Sequence, residues 1–354
     1  MSYSGVLDHK CNNCGSVLKF NPAIQKWECE FCKSIFTEEQ LKKGEELNND
    51  ATIDRLEKDN HGMDLYICPN CGAQIVADEN TSATFCIYCK NTAILKNKLV
   101  GEFNPSLIIP FKTTKEDAIK AFVDFSNGKP LIPDVFTSRE SIEEIKGIYI
   151  PFWLFDYNIY SNVEGTATES TSWTNRSYRY TKTNTYQVEV SGDMNFKRVP
   201  VDGSTRFDNA IMNSIEPFDY GELRKFNYSY LSGFFAEKYD VDSNTASYDA
   251  VNRVVNSAKK ELEKKVKHQS FSVTKTEHME RQLNLDYVLL PVWLLNIKYE
   301  NELYTFAMNG QTGEMIGNAP IDKKKARKFF ISHFLKIFIV FFVIALIIFI
   351  GGIL

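Results

Sequence analysis

Hydrophobic and polar positions divide this chain most sharply at its end. Ile337 to Leu354 reads IFIVFFVIALIIFIGGIL, with no charge and no strongly polar side chain. As a helix rising about 1.5 Å per residue, this run is about 27 Å long, close to a bilayer core. At about −0.3 to −0.6 kcal/mol for each Leu, Ile, Phe or Val, its insertion is favourable by about 5–10 kcal/mol. A buried core helix is seldom apolar on every face. The run therefore predicts one transmembrane helix over 337–354.

Upstream, the pattern predicts an α+β body over 98–320. SLIIPFKT (106–113) reads as a strand. Thr114 then caps KEDAIKAFVDF, with Ile119, Phe122 and Val123 on one side, and Asn127-Gly128 ends that helix. GIYIPFWLFDYNIYSNV (147–163) is a strand of aromatic and β-branched residues. From Trp173 to Val190 polar and aromatic residues alternate as in a half-exposed antiparallel strand. A second helix spans 244–267, with Val251, Val254, Val255, Ala258, Leu262 and Val266 at helical spacing. Next comes a second apolar strand, LDYVLLPVWLLNIKYE, and the turn residues Asn309-Gly310 and Thr312-Gly313. The two apolar strands share Pro-x-Trp-Leu, at Pro151–Leu154 and Pro291–Leu294. This points to a duplicated α+β unit with antiparallel sheets; chance similarity of two apolar strands is the other reading. The Pro and Trp are expected to be packing and edge features.

The front of the chain repeats more plainly. All eight cysteines precede residue 90, as four C-x-x-C pairs. Cys11/Cys14 and Cys29/Cys32 are separated by fourteen residues, and so are Cys68/Cys71 and Cys86/Cys89. Asn13/Asn70, Gly15/Gly72, Phe31/Tyr88 and Lys33/Lys90 fall in register. Each C-x-x-C turn presents two thiolates to one ion, and a short hairpin returns the second pair. Two zinc ribbons are expected, over 1–36 and 64–97, each holding one structural Zn2+ on four cysteines. Four thiolates close the coordination sphere, so zinc catalysis is not expected. A thioredoxin-like redox reading needs one exposed C-x-x-C in a βαβ context, which the matched repeats lack. Between the ribbons, 37–63 is charged and reads as a solvated helix or linker, with Thr37 and Gln40 placed for a capping box.

Charge adds direction. Net charge is −4 and the pI about 5.9, so no bulk electrostatic grip on nucleic acid is expected. The N-terminus lacks the apolar core of a secretory signal. The thiols are then expected in a reducing compartment, where metal binding is favoured over disulfides. Lys323, Lys324, Lys325, Arg327 and Lys328 form a basic flank over 321–336, which places the body in the cytoplasm. Lys336 can snorkel to the interface. The flank is either an orientation signal alone or also a contact for anionic headgroups of the lipid bilayer. Ribbon aromatics such as Phe20, Trp27, Phe31, Phe85 and Tyr88 can stack on nucleic acid. With four Lys against three acids in the first ribbon and two against three in the second, packing within the module is the stronger reading.

No catalytic constellation stands in context. The phosphate loop G-x-x-x-x-G-K-[ST], the H-E-x-x-H helix and the G-x-S-x-G elbow are absent. His278-x-Glu280 lacks the downstream P-C-x-x-C of a deaminase. Asp240-x-Asp242-x-Asn244 begins like a calcium loop but has Thr245 and Val251 where Gly and Glu are needed, so it reads as helix capping.

Two CPNCG-type ribbons, then IIPFK, IKGIYIPFW, PVWLL and MNGQTGE, then a basic flank and a terminal span, resemble the YdjG-like double-zinc-ribbon membrane proteins of Firmicutes. Pro151–Phe152–Trp153 and Asn309–Gly310–Gln311–Thr312–Gly313 carry most of the resemblance. It implies a role in envelope stress, recruiting a phage-shock-protein-A homologue to the membrane beside sibling membrane proteins. The expectation is a non-enzymatic adaptor; the alternative is a membrane-tethered nucleic-acid-binding protein.

Overall fold

The computed structural model describes residues 6–7, 10–45, 63–67, 74–78, 81–85, 92–95 and 105–351. It is a mixed α+β structure whose centre is the two apolar strands. They run as Lys146–Asn175 and Ser270–Tyr299 and pair antiparallel, Ile148 opposite Val292 and Ile150 opposite Leu290. A strand apolar at consecutive positions must be covered on both faces. Tyr149, Trp153, Phe155, Leu289 and Trp293 face one core; Ile150, Phe152, Leu154, Leu290 and Val292 face another. The first core is closed by helices Lys115–Asn127 and Ser243–Glu263, which bury Ala118, Phe122, Ala246, Ala250 and Val254. The second is closed by the short helix Asn209–Ser214 and the segment after it, through Met212, Ile215 and Phe218.

The two halves of the body pair in matching ways. Leu107–Ile108 lies parallel to Val288–Leu289, and Phe235–Ala236 lies parallel to Ile148–Tyr149. Asp202 pairs with Phe152, and Asn309 with Val292. Each half is thus a short strand, a helix, a long strand and a return strand. Each half lays its short strand along the other half's long strand. The indole N–H of Trp153 donates to the Val241 carbonyl at 2.9 Å, and that of Trp293 donates to the Thr113 hydroxyl at 2.9 Å. Val241 and Thr113 each stand immediately before a helix cap. Thr114 and Asp117 form a capping box, and Asp242 accepts from the amides of Asn244 and Thr245. The calcium-like Asp240–Asn244 stretch is therefore capping chemistry, as its sequence implied.

The two prolines were expected near an edge; they lie in central strands. Pro151 falls between the pairing of Tyr149 with Ala236 and that of Phe152 with Asp202. Pro291 falls between the pairing of Leu289 with Ile108 and that of Val292 with Asn309. On that side no ladder donor is needed at either position, so the missing N–H costs nothing. Their carbonyls accept from Gly203 and Gly310, both at 2.9 Å.

The other correction concerns Trp173–Val190, which is not one strand. The chain turns between Asn175 and Tyr178, with Arg176 at φ 52°, and returns as Tyr178–Asp202. The hairpin forms an arm, three-stranded as far as the pairing of Thr168 with Ser270 and two-stranded beyond it. Its tip is exposed on both faces, because none of the described helices reaches it. SLIIPFKT forms a strand only at Leu107–Ile108.

Residues 38–45 form a helix, with the Thr37 amide donating to Gln40 Oε1 at 2.8 Å. Of the second cysteine module, strands Met63–Ile67 and Gln74–Asp78 pair with each other. Thr81–Phe85 and Thr92–Leu95 form a second hairpin, which joins the central sheet where Ala83 pairs with Ala236.

Candidate metal centre and membrane helix

In the first cysteine module a three-stranded antiparallel sheet, Leu18–Asn21, Lys26–Cys29 and Ile35–Phe36, carries the two C-x-x-C turns. The hairpin between the cysteine pairs is the expected one. At each turn a residue just past the second cysteine adopts a left-handed conformation, Gly15 at φ 73° and Lys33 at φ 60°. Glycine adopts it freely, whereas lysine does so at a steric cost. The turns are tied by backbone bonds, Gly15 to the Cys11 carbonyl at 2.8 Å and Lys33 to the Cys29 carbonyl at 2.9 Å.

The Sγ atoms of Cys11, Cys14, Cys29 and Cys32 all lie within 4.8 Å of one another. Cys11 to Cys32 and Cys14 to Cys29 are both 3.5 Å, too long for disulfides, and all four thiols are free. Tetrahedral thiolate sites with metal–sulfur bonds near 2.3 Å have sulfur–sulfur edges of about 3.8 Å. The four sulfurs thus fit a single tetrahedral metal ion. Ser34 donates to Cys32 through its hydroxyl, at 3.1 Å, and its amide, which lowers the Cys32 thiol to about 6 and favours the thiolate a metal requires. Sequence reading did not single out Ser34. Cys68, Cys71, Cys86 and Cys89 lie outside the described residues.

The module does not stand free. Trp27, 1% exposed, donates its indole N–H to the Ser229 carbonyl at 2.7 Å, and the Phe20 amide donates to Ser232 at 3.0 Å. Phe20, Trp27 and Tyr230 pack as three rings with centroids 5.0–5.3 Å apart. Gln25 Nε2 donates to the Phe111 carbonyl at 2.7 Å, and the Tyr230 hydroxyl to Glu38 at 2.9 Å. The rings expected to pack inside a small module instead bolt it to the body. Of the first module's described aromatics only Phe31 is strongly exposed, at 80%.

At the other end, one helix runs from Lys323 to Gly351. At about 1.5 Å per residue it is about 43 Å long. It is long and apolar enough to cross a membrane, and none of its described apolar stretch is buried by the protein. The basic flank, expected as a separate segment, is the first part of this helix. Cations at a helix N-terminus oppose its dipole. Asp322 offsets them, accepting from the amides of Lys324 at 2.7 Å and Lys325 at 3.0 Å, and its carboxyl is lowered by these bonds. Lys325 turns back to the body, bonding the Ile132 carbonyl at 2.7 Å and Asp134 at 2.5 Å. Lys323, Lys324, Arg327 and Lys328 make no described ion pair. The Asp322 amide donates to Leu131 at 2.8 Å, so the helix leaves the body from a fixed root.

Comparison with known proteins finds a relative along nearly the whole chain. Uncharacterized protein YdjG of Bacillus subtilis (strain 168) is 30% identical over 326 residues, which cover 92% of this chain and 93% of the relative. No protein-family model matches. No solved structure matches.

Proposed function

Since the chain belongs to the YdjG-like family, we propose that it is a non-enzymatic, tail-anchored scaffold that holds protein partners at the cytoplasmic face of the cell membrane. Two structural Zn2+ ions, on Cys11, Cys14, Cys29 and Cys32 and on Cys68, Cys71, Cys86 and Cys89, brace its front. The partners are a phage-shock-protein-A homologue and sibling membrane proteins, in the response to envelope stress. The carrying observation is the fixed geometry between the two ends. The cysteine module is bolted to the body through Trp27, and the apolar helix is rooted in it through Asp322 and Lys325. A rigid body of this kind presents a constant surface at a set place relative to the lipid. Zinc is favoured because four converging thiolates of a reduced protein leave no open position for chemistry.

Three measurements test this. Elemental analysis of the native chain should find two zincs. Truncation before Lys323 should move it from the membrane to the soluble fraction. Crosslinking from membranes should recover the phage-shock-protein-A homologue with the full chain and lose it with the truncation. Well under two zincs, free solubility of the full chain, or recovery of other proteins only would reject the corresponding part.

One observation favours the nucleic-acid reading, at a different place from the ribbons. Between Ser170 and Asn184 the arm tip carries Arg176, Arg179 and Lys182 and no carboxylate. Trp173 and Tyr180 stack across its strands at 5.8 Å and stay 49% and 46% exposed. Rings and cations together suit a single strand. A gel shift at about 50 and about 200 mM salt tests it: binding that weakens steeply with salt and with Trp173→Ala supports this reading.

A further inference from the structure

Toward the tip of the arm the sheet steps from three strands to two, and the step leaves a strand-sized slot. Ser270–Tyr299 leaves the ladder at the pairing of Thr168 with Ser270, whereas Lys146–Asn175 runs on to its end beside Tyr178–Asp202. A side chain fills the first vacant place. Gln269 Oε1 accepts from the Ser170 amide at 2.5 Å, and its Nε2 donates to the Ser170 carbonyl at 3.1 Å. A neighbouring strand would make the same two bonds. Backbone groups alternate sides along a strand, so Ser172 and Thr174 aim their N–H and C=O the same way as Ser170. No described strand pairs with them on that side.

The side chains around the slot select its occupant. Trp173 lies opposite Tyr180 and Thr171 opposite Lys182, so these four share one face of the arm; Thr174 lies opposite Arg179 on the other face. Arg176, Arg179 and Lys182 stand between Ser170 and Asn184 without a carboxylate. The charge calls for an acidic occupant, and the exposed Trp173 ring for an apolar side chain at its centre. A second copy of the tip would set like charges against each other. The open edge offers donors and acceptors in alternation. A peptide backbone matches both, whereas a phosphodiester chain brings acceptors only. We propose that the slot takes an extended acidic segment of a partner protein as an added antiparallel strand, with an apolar side chain against Trp173 and carboxylates toward Arg179 and Lys182. This rests on the scaffold reading and names the place and chemistry of one docking contact.

The test is fluorescence anisotropy of a dye-labelled heptapeptide, Thr-Glu-Glu-Phe-Glu-Glu-Thr, with the full chain in detergent at about 150 mM salt. Saturable binding of one peptide per chain is expected. N-methylation of the two Glu beside Phe, whose N–H groups face the slot, should weaken it about tenfold or more. N-methylation of Phe, whose N–H faces away, should leave it nearly unchanged. These changes lie in the peptide, so lost binding is not misfolding of the protein. Thr174→Pro removes one outward N–H at an edge, where proline is tolerated, and should also weaken binding. No saturable binding of the acidic peptide, equal binding of a version with Lys for every Glu, or equal binding after the Glu N-methylation overturns the proposal. Binding of oligothymidylate without binding of the peptide overturns it in favour of the nucleic-acid reading. Crosslinked partners that dock elsewhere would still be recovered, so the scaffold reading stands or falls separately.

Discussion

The halves of the body share a frame and differ in what closes it. Both place a proline in a gap of the ladder, a glycine on that proline's carbonyl, and a tryptophan against the start of the opposite helix. These are backbone requirements, and they recur in both halves. The side chain before the glycine differs: Asn309 is locked between amides and the carbonyls of Ile215 and Pro217, whereas Asp202, beside a cavity, has one buried oxygen with no hydrogen-bond partner among the described residues. The return strands differ as well, eight residues in Glu302–Asn309 and twenty-five in Tyr178–Asp202, where the extra length builds the arm. The second half ends in a satisfied turn, and the first adds an arm and a cavity.

The largest way to break the comparison is Asn309→Asp. It turns a donor toward two carbonyls into a buried acceptor and should cost about 3–5 kcal/mol, read from urea unfolding of the body; a loss below 1 kcal/mol would mean that the 215–217 segment does not seal this turn. The mirror change, Asp202→Asn, should stabilise. The folded-state pKa of Asp202 is raised to about 7 from the ordinary carboxylate range, so the protonated group is tolerated at low pH and stability falls as pH rises through 7. Asp202→Asn cannot ionise, so it should match the parent below about pH 4 and exceed it by about 3–4 kcal/mol at pH 8. A gain that is the same at both pH values would remove ionisation as the cause.

The two glycines come next. A Cβ on Gly310 would sit 2.7 Å from the Phe111 ring and 2.8 Å from Pro291, whereas one on Gly203 would come no closer than 3.1 Å, to the Pro151 carbonyl oxygen. Phe111 is stacked on Phe234 at 4.1 Å and has little room to give. Gly310→Ala should cost about 1–3 kcal/mol and Gly203→Ala less; the reverse order in thermal midpoints would show the first turn to be the tighter one. The smallest effect is in the indole bonds. Trp153→Phe and Trp293→Phe each lose one hydrogen bond worth about 1 kcal/mol. Trp153→Phe should cost slightly more. It strands the Val241 carbonyl, whereas the Thr113 hydroxyl also donates to Gly310 at 3.0 Å.

Much of this was legible locally. The four cysteines of the first module, the capping box at Thr114 and the apolar tail depend on spacing of a few residues to a few tens, and each appears where its pattern put it. The Pro-x-Trp-Leu repeat marked two related strands, yet not that they would lie side by side. Alternation near Trp173 concealed a turn, because a polar hairpin tip and a half-exposed strand have similar sequences. Trp27 bonds Ser229, two hundred and two residues away, and no periodicity announces such a contact.

What the amino-acid order determined alone was chemistry that needs only near neighbours: thiolate pairs for one ion, caps for helices, and a tail too apolar for water. Tertiary structure decided everything that depends on two distant segments meeting. It placed the prolines where no donor is required, fastened the cysteine module to the body, sealed one turn and left the other beside a cavity. The reason is energetic. A buried carboxylate and a buried amide cost little to write into a chain, and only the packed surroundings determine which of them is satisfied.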